Sequence, residues 1–74
     1  MFKVYFENRF EERIFIGEAQ SEEEIHKIWQ KDLNNRNPNY KVYYFRSWIN
    51  NHGEKVIDCG SHCEYYIAIP ESND

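Results

Sequence analysis

Hydrophobic and polar residues alternate from the start of the chain. Phe2, Val4 and Phe6 interleave with Lys3, Tyr5 and Glu7, and a period of two places one set on each face of a half-buried strand. Polar residues around Asn8 and Arg9 reverse the chain, and Arg13-Ile14-Phe15-Ile16 forms a second strand that Gly17 is expected to end. So short a connection makes the pair an antiparallel hairpin.

The period then changes. Ser21-Glu22-Glu23-Glu24 is a capping box, in which the Ser21 hydroxyl accepts from the Glu24 amide while the Glu24 carboxylate returns to the Ser21 amide. Three carboxylates in one turn also suit the positive end of a helix dipole. Ile25, Ile28, Trp29 and Leu33 follow at helical spacing as one apolar stripe. The Asn-rich segment 34–39 stops the helix, because Pro38 disfavours helical geometry in Asn37. Residues 40–49 predict a strand rich in aromatic side chains, and Asn50-Asn51-His52-Gly53 a turn. Lys55-Val56-Ile57-Asp58 is the next strand, Gly60-Ser61 a break, and residues 64–69 the last strand before Pro70 and a polar tail. The order ββαβββ predicts an α+β fold, a small antiparallel sheet of four to five strands with one helix packed on one face. Residues 1–74 form a single domain, with 70–74 as its tail.

One helix covers one face of a sheet, so the orientation of each strand matters. In the first two strands the even positions Phe2, Val4, Phe6, Ile14 and Ile16 are the cleaner apolar set and should face the helix. In the last strand the odd positions Tyr65, Ile67 and Ile69 take that role. Residues 40–49 are apolar on both sides, and Arg46 decides between them. A mid-strand charge is costly to bury unless paired, whereas Lys41 near the strand start can snorkel. Tyr43 and Phe45 then join the core. Tyr5, Phe15, Tyr44, Arg46, Trp48 and Tyr66 are left on the outer face, an aromatic patch of several hundred Å², the size that marks an interface. Self-coverage by the Asn-rich linker or the tail, or stacking of two copies as a homodimer, would also cover it.

Composition bears on that patch. A chain of 74 residues buries only about 60% of the surface its unfolded form exposes. Its 2 Trp, 6 Tyr and 5 Phe compensate, each burying about 150–250 Å². The net charge is −4, which argues against a general DNA or membrane-surface binder. It is unevenly spread: seven carboxylates face three bases in residues 1–24, and six bases face two carboxylates in residues 25–55. No apolar run spans a bilayer, and the N-terminal residues run into strand pattern without signal-peptide architecture, so a cytoplasmic location is expected. There, Cys59 and Cys63 should remain reduced.

Asp58-Cys59-Gly60-Ser61-His62-Cys63-Glu64 gathers thiols, an imidazole, a hydroxyl and carboxylates. A Cys nucleophile needs its base in contact, yet His62 and Cys63 as neighbours on extended chain point to opposite sides. The segment reads as a tight turn whose polar residues satisfy its backbone, and no catalytic residue is assigned. Cys59, Cys63, His62 and His52 supply zinc-type donors, but the second ligand pair of a structural site is missing, so no metal or other cofactor is expected and a small metal-binding protein ranks last among the alternatives. His26 reads as a solvated helix residue. Tyr44, Arg46 and Trp48 on one strand face are the residue types that stack single-stranded nucleic acid, the alternative to a protein partner.

Together, Phe2-Lys3-Val4-Tyr5-Phe6-Glu7-Asn8, Tyr43-Tyr44-Phe45-Arg46-Ser47-Trp48 and Asp58-Cys59-Gly60-Ser61-His62-Cys63-Glu64-Tyr65-Tyr66 resemble short uncharacterised bacteriophage and prophage proteins of Gram-positive bacteria. That group carries an Asp-x-Gly-Ser-His-x-Glu-aromatic-aromatic stretch near its C-terminus. Cys59 and Cys63 stand where its members tend to have Val or Thr. The resemblance implies an accessory phage protein in the host cytoplasm. The expectation is a non-enzymatic protein that binds a host or phage protein through its aromatic sheet face.

Overall fold

β1 (Phe2–Glu7), β2 (Arg13–Ala19), α1 (Glu22–Arg36), β3 (Arg46–Ile49), β4 (Lys55–Asp58) and β5 (Tyr65–Pro70) succeed one another along the chain. They are seen in a computed structural model that describes residues 1–40, 45–60 and 64–71. The strands form one antiparallel five-stranded sheet in the order β2-β1-β5-β4-β3, with α1 packed on one face. β5 is central because it is the most continuously apolar strand. Tyr66, Ile67 and Ala68 are all buried, which only a strand covered on both faces allows.

The hairpin loop is built by Asn8, whose side-chain Oδ1 accepts from the amides of Phe10 and Glu12. This Asx geometry lets Glu11 take a positive φ of 64°. Gly17 does not end β2, which continues to Ala19. Val4 lies opposite Gly17 and Tyr5 opposite Phe15, leaving Ile16 as the extra residue of a bulge. Gly17 sits beneath the helix, where a Cβ would lie 3.4 Å from Ile28, so its lack of a side chain lets strand and helix approach.

The helix begins at Ser21, whose Oγ accepts from the Glu24 amide at 3.3 Å. The reciprocal bond is displaced by one residue: the Gln20 amide, not that of Ser21, donates to Glu24 Oε2, at 3.4 Å. Ile25, Trp29 and Leu33 are buried and Ile28 is partly so, packed against the core. His26 is not simply solvated. Its Nδ1 accepts from Trp29 Nε1 at 3.0 Å, because a buried indole N–H needs a partner and residue i−3 is the nearest helical neighbour. The Asn37 amide closes the helix on the Leu33 carbonyl at 2.8 Å.

Val4 and Phe6 face the helix as expected, but β5 is inverted relative to its predicted orientation. Its pairing with β1 sets Tyr66 opposite Phe6 and Ala68 opposite Val4, so the even residues lie under the helix. Tyr65, Ile67 and Ile69 lie on the other face. Ile57 on β4 and Cys59 just beyond it join the helix side. The expected strand 40–49 is described from Arg46 to Ile49, and Lys41, Tyr43 and Tyr44 fall outside the described residues. Phe45 touches the helix, 5.5 Å from the Trp29 ring and 4.9 Å from that of His26, yet remains substantially exposed. At the C-terminus Pro70 is the last residue of β5, opposite Phe2. The Glu71 amide donates to the Met1 carbonyl at 2.8 Å. No helix among the described residues is long and apolar enough to cross a membrane.

Candidate interaction surface

The helix-free face is organised in cross-strand rows. Register places Phe15, Tyr5, Ile67, Val56 and Trp48 side by side, one from each strand. Beside them lie Arg13, Glu7 and Tyr65 from β2, β1 and β5, and Asp58 and Arg46 from β4 and β3. Tyr5 and Phe15 meet edge to face at 5.6 Å, as do Trp48 and Tyr65 at 6.3 Å. Such pairs add about 0.5–1.5 kcal/mol beyond area burial.

This face is only partly open. Ile67 is 2% exposed and Val56 7%, although no helix lies over them. Sheet twist accounts for it. Arg13 belongs to edge strand β2, while Glu54 lies in the turn before β4, three strands away and at the opposite strand end. On a flat sheet three strand spacings alone measure roughly 14 Å, yet Arg13 Nη1 and Nη2 donate to Glu54 Oε2 and Oε1 at 2.8 and 3.0 Å. The twist of the sheet raises these diagonal corners toward each other, and their bidentate pair closes over the middle of the face. The other diagonal folds the opposite way, so Phe45 reaches the helix.

Electrostatics reinforce the clasp. Arg13 Nε also donates to Glu7 at 2.9 Å, and Asn50 Nδ2 donates to Glu54 Oε1 at 2.9 Å. The Arg13 hydrogen bonds, then that of Asn50, hold the Glu54 carboxyl down at about 2 against an ordinary 4.5, while the Glu54 and then the Glu7 carboxylate raise the Arg13 guanidinium above its usual range. Arg46 donates to Asp58 Oδ2 at 3.1 Å, and the Gly60 amide donates to Asp58 Oδ1 at 2.9 Å. The Gly60 bond first, and Arg46 after it, keep the Asp58 carboxyl below its usual range. Gly60 has φ +88°, the left-handed conformation of a tight turn. His62 and Cys63 fall outside the described residues.

Of the residues expected in the patch, Tyr5, Phe15, Arg46 and Trp48 share this face. Phe15 (53% exposed) and Trp48 (43%) stand at its two edges. Tyr44 falls outside the described residues. Tyr66 does not belong to the patch: it is buried under the helix against Phe6 and Trp29, and its hydroxyl donates to Asp32 Oδ2 at 2.8 Å. Burial, then the Asp32 carboxylate, raise its pKa. The error lay in strand register, which the alternation of Tyr65-Tyr66-Ile67-Ala68-Ile69 leaves undetermined because both sets are apolar. Tyr65, Val56 and Ile67 are the face residues that sequence reasoning missed.

A second concavity of about 410 Å³ opens at the C-terminal end of the helix, between Phe6, Arg36, Tyr40, Cys59, Glu64 and Tyr66. The Arg36 guanidinium lies 3.9 Å from the Phe6 ring centre and donates to Asp32 at 2.5 Å. The Tyr40 hydroxyl donates to the Cys59 carbonyl at 2.9 Å. Asp32 thus anchors both Arg36 and Tyr66, and the polar walls are tied to one another. Among the described residues no group of three His, Cys, Asp or Glu is placed to hold a metal ion.

The fold defines an α+β protein with a helix-backed antiparallel sheet and a clasped, aromatic-edged opposite face. No family model, curated protein or solved structure matches the chain.

Proposed function

We propose that this is a non-enzymatic accessory protein that binds another protein through the clasped sheet face, with Phe15 and Trp48 as anchors and Tyr5, Tyr65 and Arg46 beside them. The observation that carries the proposal is the cross-strand row itself: large aromatic rings are held exposed at both ends of a rigid, buried floor of Ile67 and Val56. Rigid aromatic side chains bind at low entropic cost, and Tyr, Trp and Arg dominate the energetics of protein contacts. The likeness of the terminal motifs to phage and prophage proteins supports a partner in a Gram-positive host cytoplasm, from host or phage.

Single-stranded nucleic acid has less support. Arg13 pairs with Glu7 and Glu54, Arg46 with Asp58, and Lys3 with Glu71 at 3.0 Å, so these cations come with carboxylates that would repel a phosphate backbone.

The immobilised protein, its Phe15→Ala and Trp48→Ala variants and a Lys27→Ala control on the exposed helix surface should be incubated with nuclease-treated Gram-positive lysate. A protein retained by the wild type and the control but lost from both aromatic variants is the expected result. Identical retention by all four proteins refutes the proposal, and retention that depends on omitting the nuclease transfers the face to nucleic acid.

A further inference from the structure

β3 ends the sheet, and all four of its residues are exposed. Its hydrogen-bond phase follows from the turn that leads out of it. The Asn50 amide donates to the Glu54 carbonyl at 2.9 Å, so Asn50 bonds inward. Antiparallel pairing alternates, so Trp48 (opposite Val56) and Arg46 (opposite Asp58) also bond inward. The N–H and C=O groups of Ser47 and Ile49 therefore point out of the sheet edge, where a further strand would pair.

The two edges differ. β2 is interrupted by the bulge at Ile16 and carries the exposed Glu18, devices that discourage edge pairing. β3 has no bulge and no proline, and its one charge, Arg46, is held by its own Asp58. On the helix side Ile49 is 66% exposed, because the helix lies over β1 and β2. That leaves room beside β3.

We infer that two copies of the chain pair antiparallel along β3, about a twofold axis through Ser47. In this register Ser47 of each copy exchanges both backbone hydrogen bonds with its equivalent. Arg46 falls opposite Trp48 of the second copy on the clasped face, and Phe45 falls opposite Ile49 on the helix side. Each relation occurs twice. The guanidinium meets the negative face of an indole, and the exposed apolar residues flanking and ending β3 cover one another. Moving the axis to Trp48 would set Arg46 against Asn50 and Phe45 against Asn51, losing both matches. The second copy is thus favoured over an arbitrary peptide by electrostatic and apolar self-complementarity at one register. A strip this narrow buries less than the roughly 1,200 Å² of standard interfaces, so a reversible dimer in the micromolar range is expected. The inference concerns the sheet edge and does not rest on the partner proposed above.

Sedimentation equilibrium across micromolar to millimolar concentration tests it, with three variants. Ser47→Pro deletes an outward N–H that the monomer does not use, a change tolerated at edge strands, and circular dichroism checks that the fold is kept. Ile49→Lys places a charge opposite Phe45. Ser47→Cys, in a Cys63→Ser background, sets two thiols across the axis, where Cα atoms of a hydrogen-bonded pair lie about 5.5 Å apart, within disulfide range. The expected result is a wild-type dimer, a dissociation constant raised about tenfold or more in the first two variants, and disulfide-linked dimer from the third on mild oxidation. A wild type that stays monomeric throughout overturns the inference. So does a dimer unaffected by Ser47→Pro and Ile49→Lys, or one that Phe15→Ala dissolves, since those describe stacked faces rather than joined edges.

Discussion

If Arg13 and Glu54 clasp the twisted sheet, stability should depend on that pair and should fall with acid in a defined window. Glu54 has a carboxyl near 2 in the folded chain against an ordinary 4.5. A folded value below the unfolded one contributes stability that is fully present above about pH 4.5 and is lost as pH falls toward 2. At about 1.36 kcal/mol per pH unit, the separation is worth about 3 kcal/mol. The Arg13 side chain is 34% exposed, so solvent screening lowers the expected coupling to about 1–3 kcal/mol. The measurement is a double-mutant cycle of Arg13→Met and Glu54→Gln by urea denaturation, since guanidinium chloride would screen the pair. Glutamine keeps one oxygen to accept from Asn50 and Arg13 Nη2, and removes the charge together with the second oxygen that accepts from Arg13 Nη1. The contact of Arg13 with Glu7 is lost in both arms of the cycle and cancels. At pH 7 Glu54→Gln should destabilise by about 1–3 kcal/mol, and near pH 2 the difference should shrink toward zero. A coupling below about 0.5 kcal/mol, or a deficit that does not change between the two pH values, would refute the clasp as the reason Val56 and Ile67 are buried.

Three further outcomes follow from the packing. Tyr66→Phe removes the hydroxyl that donates to Asp32 while leaving the ring in place, and should cost about 1 kcal/mol in urea titration, whereas Tyr66→Ala should cost about 3–5. Gly60→Ala forces a side chain into positive φ and brings its Cβ to 2.9 Å from the Tyr40 hydroxyl. A loss of about 1–3 kcal/mol is expected, and an unchanged thermal midpoint would contradict the turn geometry. Ser21→Ala removes the acceptor for the Glu24 amide and should cost about 1 kcal/mol, with Ser21→Asp restoring most of it.

The sequence by itself determined the element order, the helix and its stripe, the position of β4, and the inward set of β1, because each rests on a local period or on cap and turn chemistry. It also placed Tyr5, Phe15, Arg46 and Trp48 on one face, since Lys3 and Glu7 mark the outer side of β1 and the Arg46 charge that of β3. Tertiary structure alone decided the rest. β5 is apolar at every position from Tyr65 to Ile69, so no local period marks its inner face; pairing with β1 did, and it carried Tyr66 into the core. Gly17 read as a strand end because propensity is local, whereas its place under Ile28 depends on a helix met later in the chain. The clasp joins residues 41 positions apart, and it exists only because a twisted sheet brings opposite corners together. The face that alternation left exposed is therefore half closed, with its aromatic edges outside.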